Sequence, residues 1–274
     1  MRNILVIGLG LIGGSIAKSL NKTEFNVCGM DTNSQTIEKA ISDEAIVQKF
    51  NHIEEFLAHN DDGIIVFATS PSTVIKIIES NIEILNTNFS ITDVSSSKLN
   101  ISKFLNEYEP KNFVFSHPIA GSHKSGYENS SKDFFNQKKL IISKYFCHDK
   151  HYQRIHGLWT SLKADVLSLS IEEHENFFSA TSHLPHLISY ALIKTINDKD
   201  IDIEKFSAGG LSEFIRLTKS SETLWSDIFK SNLENIEKDT EAFIKNMHEL
   251  LEEASKNDSK SLLKKIRLIK KGVS

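Results

Sequence analysis

The aliphatic run Ile4-Leu5-Val6-Ile7 passes straight into Gly8-Leu9-Gly10-Leu11-Ile12-Gly13-Gly14, and this junction constrains the fold more than any other segment. A short apolar run followed by G-x-G-x-x-G at the opening of a helical pattern is a strand, a tight turn and a helix. Gly8 permits the turn, Gly10 lets the backbone approach a pyrophosphate, and Gly13 lets helix and strand pack closely. Leu9, Leu11 and Ile12 complete the loop at the helix N-terminus, where unpaired N–H groups and the helix dipole favour an anion. A tight strand-to-helix turn with no ligand is the plain alternative, and only the context of the motif argues against it.

That context continues along the chain. Short β-branched runs at Asn26–Met30, Gly63–Phe67, Ser90–Val94, Phe113–Phe115 and Leu140–Ser143 alternate with amphipathic stretches. Continuous apolar strands separated by helices predict a parallel sheet covered on both faces. The second run ends in Asp31, a carboxylate placed to accept from the adenosine ribose hydroxyls and to repel a 2′-phosphate, so NAD is favoured over NADP. A surface carboxylate at a strand end is the bland alternative for Asp31. Thr69, in Ala68-Thr69-Ser70-Pro71, falls at a strand end of the kind that borders a cofactor crevice.

After residue 170 the character changes. Ser170-Ile171-Glu172-Glu173 has the S-x-x-E form of a capping box and opens an all-helical remainder. Apolar residues from Leu224 through Trp225, Ile228, Phe229, Leu233, Ile236, Phe243, Ile244 and Met247 to Leu251 recur at helical spacing over an unusually long span, as in a helix that packs against another subunit. The expected fold is therefore α/β, an N-terminal Rossmann-like doubly wound domain over residues 1–170 joined to a C-terminal all-helical dimerisation domain over residues 171–274. A homodimer is expected.

The net charge of −4 offers no broad positive field for a phosphate backbone, so nucleic acid is not an expected partner. The basic stretch Lys264–Lys271 reads as a solvated terminal helix. No apolar run approaches the roughly 20 residues that span a bilayer, and the N-terminal run is too short for a signal peptide, so no membrane is expected. Two cysteines, Cys28 and Cys147, form neither a disulfide framework nor a metal-spaced set, which fits the cytoplasm.

Four further segments stand out: Asp93-Val94-Ser95-Ser96-Ser97-Lys98, Ser116-His117-Pro118-Ile119-Ala120-Gly121-Ser122-His123-Lys124-Ser125-Gly126, Thr181-Ser182-His183-Leu184-Pro185-His186, and Gly209-Gly210-Leu211-Ser212-Glu213-Phe214-Ile215-Arg216-Leu217. In order and spacing they resemble the prephenate/arogenate dehydrogenase family of tyrosine biosynthesis, from the first strand to about Asn232. The resemblance implies oxidative decarboxylation. A ring carbinol gives hydride to NAD, and loss of the ring carboxylate as carbon dioxide makes the ring aromatic.

It also implies roles, residue by residue. His117 matches the histidine that takes the hydroxyl proton, and Ser96 the serine that bonds that histidine or the substrate hydroxyl. Ser95 and Ser97 flank Ser96, and a cap for the helix starting near Lys98 is the alternative for a serine here. His186 is assigned to substrate binding and His183 to a supporting or structural role. Their spacing alone would suggest a metal, but no third ligand is identifiable and no metal is expected. Arg216 matches the arginine that holds a substrate carboxylate, against the alternative of a surface salt bridge. Trp225 matches a tryptophan near the same pocket, with core or dimer packing an equal alternative.

One departure is His123, where relatives often carry an acidic residue, and this leaves inhibition by tyrosine open. No room is expected for a fused mutase or regulatory domain. The favoured substrate is prephenate, and arogenate, with an amino group in place of the keto oxygen, is the alternative. Two rivals stand beside this reading. A β-hydroxyacid dehydrogenase would leave the histidine motifs without a function, and an NAD-sensing module would leave both His117 and Arg216 idle.

Overall fold

The computed structural model describes the chain apart from residues 1, 21, 23, 121–123, 200, 202–208, 257–258 and 273–274. His123 therefore lies outside the described residues. The first strand, β1 (Arg2–Ile7), shows why the apolar runs are continuous. Its side chains alternate, Ile4 and Val6 packing into one hydrophobic layer and Leu5 and Ile7 into the other. β4 (Ile64–Phe67) divides in the same way, Ile64 and Val66 to one face, Ile65 and Phe67 to the other. A sheet with core on both faces must be apolar at every position.

Eight strands form one sheet in the order β3-β2-β1-β4-β5-β6-β7-β8. The others are β2 (Phe25–Met30), β3 (Gln48–Lys49), β5 (Ser90–Asp93), β6 (Phe113–Pro118), β7 (Lys139–Ser143) and β8 (Asp165–Ser168). Two departures from the expectation have physical causes. β3 and β8 went unforeseen because β3 is two exposed polar residues and β8 is largely exposed, so neither carries an apolar run. The sheet is also not wholly parallel: β7 runs antiparallel to β6, with His117 opposite Ile141, and β8 is parallel to β7. Strand direction is not encoded in apolar pattern alone.

The connecting helices are α1 (Leu11–Ser19), α2 (Ser34–Ser42), α3 (Ile53–His59), α4 (Pro71–Ser80), α5 (Leu99–Leu105) and α6 (Asp149–Ser161). Asn33 caps α2 by accepting from the N–H groups of Gln35 and Thr36. Ser70 and Pro71 start α4 with a side-chain cap and a proline whose missing N–H costs nothing in the first turn.

The capping box forms as read: Ser170 Oγ accepts from Glu173 N at 3.1 Å, and Glu173 Oε2 accepts from Ser170 N at 2.8 Å. It starts α7 (Ile171–Phe178), followed by a π-helical turn (Ser179–His183), α8 (Leu184–Asn197), α9 (Gly209–Thr218), α10 (Glu222–Ser231), α11 (Leu233–Ser255) and α12 (Ser259–Lys271). The long apolar stretch is thus two helices, α10 and α11, interrupted at Asn232, whose backbone (φ −114°, ψ 29°) leaves the helical range.

The chain divides into two compact units, Met1–Phe177 with Lys219–Ser231, and Phe178–Thr218 with Asn232–Ser274. α7 stays with the sheet because His174 and Glu175 are buried there against the strand-end loops, and α10 contributes buried Trp225 and Ile228 to the same unit. Within the second unit α12 folds back on α11, Lys265 pairing with Glu249 at 3.1 Å and Ser261 donating to Glu253 at 2.6 Å. Ile244, Met247, Leu251, Leu263, Leu268 and Ile269 are exposed on these two helices.

Candidate active site

The glycine turn is built as its spacing requires. Gly8 has φ +90°, and a Cβ there would lie 2.6 Å from the Ala68 carbonyl oxygen. A Cβ on Gly13 would come within 1.8 Å of the Gly8 carbonyl oxygen, so this glycine is what lets α1 approach β1. Gly10 is different: among the described residues a Cβ would meet nothing within 4 Å, and no side chain caps the helix it opens. Backbone N–H groups beside open space at a helix N-terminus are a cradle for an anion.

Asp31 stands at the end of β2 with both carboxylate oxygens engaged, Oδ2 accepting from Leu9 N at 2.7 Å and Oδ1 from Asn33 N at 2.8 Å. Each oxygen retains a further lone pair, so the carboxylate can fasten the glycine loop and still accept from ribose hydroxyls. Thr69 packs its methyl group against Gly8, and its buried Oγ1 has no hydrogen-bond partner among the described residues. Leu9 is fully buried, with Leu11 and Ile12 half-buried at the start of α1. An open glycine cradle, an acidic strand end and an orphaned hydroxyl fit a dinucleotide.

The polar centre lies where β5 and β6 end. Asp93 and Lys98 are an ion pair at 2.7 Å with both side chains buried, and Lys98 Nζ also donates to the Ser116 carbonyl at 2.6 Å. Asp93 accepts from Ser95 N at 3.0 Å. Burial lowers the pKa of Lys98, and Asp93 acts against that shift. The serines separate cleanly: Ser97 Oγ donates to Glu175 at 2.9 Å, and among the described residues the buried Ser95 Oγ has no hydrogen-bond partner and the half-buried Ser96 makes no hydrogen bond. α5 begins at Leu99 with no side-chain cap, so Ser96 is not a helix cap.

His117 is the penultimate residue of β6 and is buried, its Nδ1 2.8 Å from His174 Nε2. His174 Nδ1 lies 2.9 Å from Glu175 Oε1, and that oxygen also accepts from Lys98 N at 2.6 Å. Burial lowers the pKa of His174. Burial opposes ionisation of Glu175, but hydrogen bonds from His174, Lys98 N and Ser97 together bring its pKa below the ordinary value. Sequence reasoning gave no role to His174 or Glu175. A usable signal existed: Ile171, His174, Glu175 and Phe178 fall at i, i+3, i+4 and i+7, which places a polar pair on the inward stripe of α7.

The second unit holds the other expected residues. His183 closes the π turn, buried, with Nδ1 3.2 Å from the Asn232 amide. His186 is half-buried on the first turn of α8. Its Nδ1 donates to the Ser182 carbonyl at 2.9 Å, which in the neutral ring puts the lone pair on Nε2. Burial lowers its pKa, and the nearby Arg216 adds to this. Arg216 lies on α9, which packs against α8. It is exposed, and its Nε donates to Glu213 one turn earlier at 2.9 Å. Trp225 is buried in the first unit against Phe229, ring centroids 5.6 Å apart. Among the described residues no three His, Cys, Asp or Glu side chains group as a metal site, and no helix is long and apolar enough to cross a membrane.

The likeness to known proteins extends over nearly the whole chain. The family model for the prephenate dehydrogenase nucleotide-binding domain matches residues 16–168, and that for the prephenate dehydrogenase dimerization domain matches residues 170–268. Prephenate dehydrogenase of Lactococcus lactis subsp. cremoris is 27% identical over 271 residues, covering 96% of this chain and 74% of the relative. That of Bacillus subtilis is 26% identical over 277 residues, covering 97% and 74%. The crystal structure of A. aeolicus prephenate dehydrogenase with hydroxyphenyl propionate and NAD+ superposes with a TM-score of 0.89 at 30% identity, covering 100% of this chain and 99% of that one. With both halves matched and the whole length shared, the chain belongs to the prephenate dehydrogenase family.

Proposed function

We propose that this chain catalyses the NAD-dependent oxidative decarboxylation of prephenate to 4-hydroxyphenylpyruvate. The observation that carries this reading is His117, a buried imidazole at the carboxyl end of β6, anchored through Nδ1. It belongs to a chain that shares its full length with a prephenate dehydrogenase whose structure holds NAD+ and hydroxyphenyl propionate.

Gly8, Leu9, Gly10, Leu11, Ile12 and Gly13 would hold the pyrophosphate of NAD, Asp31 the adenosine ribose, and Thr69 the rim of the same crevice. Bound NAD supplies the hydride acceptor. His117 accepts the hydroxyl proton as the carbinol carbon gives up its hydride. The C–CO2 bond then breaks, its electron pair enters the ring, and the ring oxygen takes the proton back from His117, so the histidine ends as it began. Ser96, whose hydroxyl has no other hydrogen bond among the described residues, orients the hydroxyl or the imidazole.

Arg216 binds a substrate carboxylate through its planar guanidinium, and His186 contributes to substrate binding, with His183 and Trp225 in support. The division of labour is a nucleotide domain over 1–170 and a helical domain over 171–274, of which α7 and α10 belong to the compact unit of the sheet. The exposed apolar residues of α11 and α12 favour a homodimer. Two buried free thiols, Cys28 and Cys147, fit a reducing cytoplasm. Tyrosine, which shares the phenol and side-chain carboxylate of the product, is the inhibitor this site would take.

The test is NADH formation by purified protein offered prephenate and arogenate separately, each with NAD and with NADP, with and without tyrosine. Prephenate turnover with NAD, lost in His117→Asn while NAD binding persists, is the expected result. Turnover of arogenate alone, or an undiminished His117→Asn enzyme, overturns the assignment.

A further inference from the structure

A base must present a lone pair to its substrate, and a neutral imidazole has only one. Which nitrogen of His117 carries it is decided behind the ring. The Glu175 carboxylate only accepts, so His174 Nδ1, 2.9 Å away, is a donor. Neutral His174 then has its lone pair on Nε2, and His117 Nδ1, 2.8 Å from it, must be the donor in that contact. The hydrogen on His117 is thereby fixed to Nδ1 and the lone pair to Nε2.

We propose that Glu175, His174 and His117 form a buried relay in which His174 and Glu175 are positioning residues that hold His117 in its basic tautomer and stabilise the imidazolium formed when it takes the substrate proton. The proposal rests on the reading of His117 as the base. The three groups span β6 and α7, and the rings of His117 and His174 lie 5.0 Å apart at 58°. Glu175 is itself held by Ser97 Oγ at 2.9 Å and Lys98 N at 2.6 Å, so the carboxylate is a fixed acceptor rather than a swinging one.

The opposite arrangement, a doubly protonated His174 donating to His117 Nδ1, would leave His117 with a hydrogen on Nε2 and no base. Burial disfavours it by lowering the pKa of His174. The charged groups that bear on His174 are Glu175 on its own helix, Asp93 at the end of β5 and Lys98 beyond it. Together they carry one net negative charge, which an imidazolium at His117 would balance. No proton has to leave His117 along the relay: its Nδ1–H stays directed at His174 Nε2 while Nε2 gains and returns the substrate proton.

The experiment has two arms. Nitrogen-15 NMR of histidine-labelled wild-type protein, with the His117 signals assigned by their loss in His117→Asn, reads the tautomer without any change to the relay. Hydrogen on Nδ1 is expected, and hydrogen on Nε2 overturns the proposal. Steady-state kinetics of Glu175→Gln with prephenate and NAD form the second arm. A fall in kcat on the order of tenfold to a hundredfold is expected, with KM little changed. The limb where kcat rises with pH should move to lower pH, because the imidazolium has lost its negative partner. A loosened structure would lower kcat without moving that limb, and a folded variant with the wild-type limb and rate overturns the relay. Failure of the wild type to oxidise prephenate would instead sink the functional reading, while the NMR arm still reports on the relay.

Discussion

Lys98→Met is the sharpest structural test of the polar centre. Lys98 and Asp93 are 1% and 0% exposed and 2.7 Å apart, and Lys98 Nζ also serves the Ser116 carbonyl. At an effective dielectric of about 20 the direct attraction is about 6 kcal/mol, most of which offsets the loss of water around both ions. Removing one partner leaves Asp93 charged, buried and facing a thioether. The expected cost is about 3–5 kcal/mol, or a fall in Tm of roughly 6–20 °C for a chain of this size. Thermal melts followed by circular dichroism measure it. One control separates an uncompensated charge from lost packing. The double variant Asp93→Asn/Lys98→Met should melt higher than Lys98→Met alone. A loss of under about 1 kcal/mol, or a double variant as unstable as the single, would refute the reasoning.

The two inner glycines should part company. Gly13→Ala forces a Cβ to within 1.8 Å of the Gly8 carbonyl and should destabilise the fold by about 1–3 kcal/mol or more, whereas Gly10→Ala meets nothing within 4 Å and should melt within about 1 kcal/mol of wild type yet bind NAD weakly in calorimetric titration. An Arg216→Ala enzyme should lose substrate affinity by about 1.5–3 kcal/mol with kcat less affected, and an unchanged KM for prephenate removes Arg216 from the carboxylate site. His151, His174 and His186 all resist protonation when folded, His151 down to about 4 from 6.5. The unfolded chain binds these protons first, so their contribution is complete above pH 6.5 and declines as pH falls. His151 alone accounts for about 2 kcal/mol by pH 5, and a Tm that stays level from pH 7.5 to 5 would contradict this.

What could be read from the chain was what acts locally. The turn at Gly8 and the capping box at Ser170 each depend on residues a few places apart, and each is present, while Asp31 directly follows a strand as its apolar run implied. The core strands were legible because burial on both faces demands an apolar run. The edge strand Gln48–Lys49 carried no such run, and the reversal of Lys139–Ser143 leaves no mark on hydropathy. The partners of the polar centre, His174 and Glu175, escaped for a different reason. His117 meets His174 57 positions away, and Ser97 meets Glu175 78 positions away, so the pairing exists only after the sheet has formed. The break at Asn232 was hidden because the apolar spacing continues across it.

The order of strands also bears on how the sheet can be assembled. β1 is made first and ends in the middle, with β2 and β3 beyond one side of it and β4 to β8 beyond the other. Each new strand therefore finds an open edge as it emerges, and none has to be threaded between strands already paired. Growth ends on poor templates, the two exposed residues of β3 on one side and the short β8, with exposed Asp165, on the other. A chain halted before Asp165 would instead offer Leu140, Ile141 and Ile142 of β7 as its outermost strand, an apolar edge open to a neighbouring chain. The last strand made is thus the one that protects the nascent protein from aggregation.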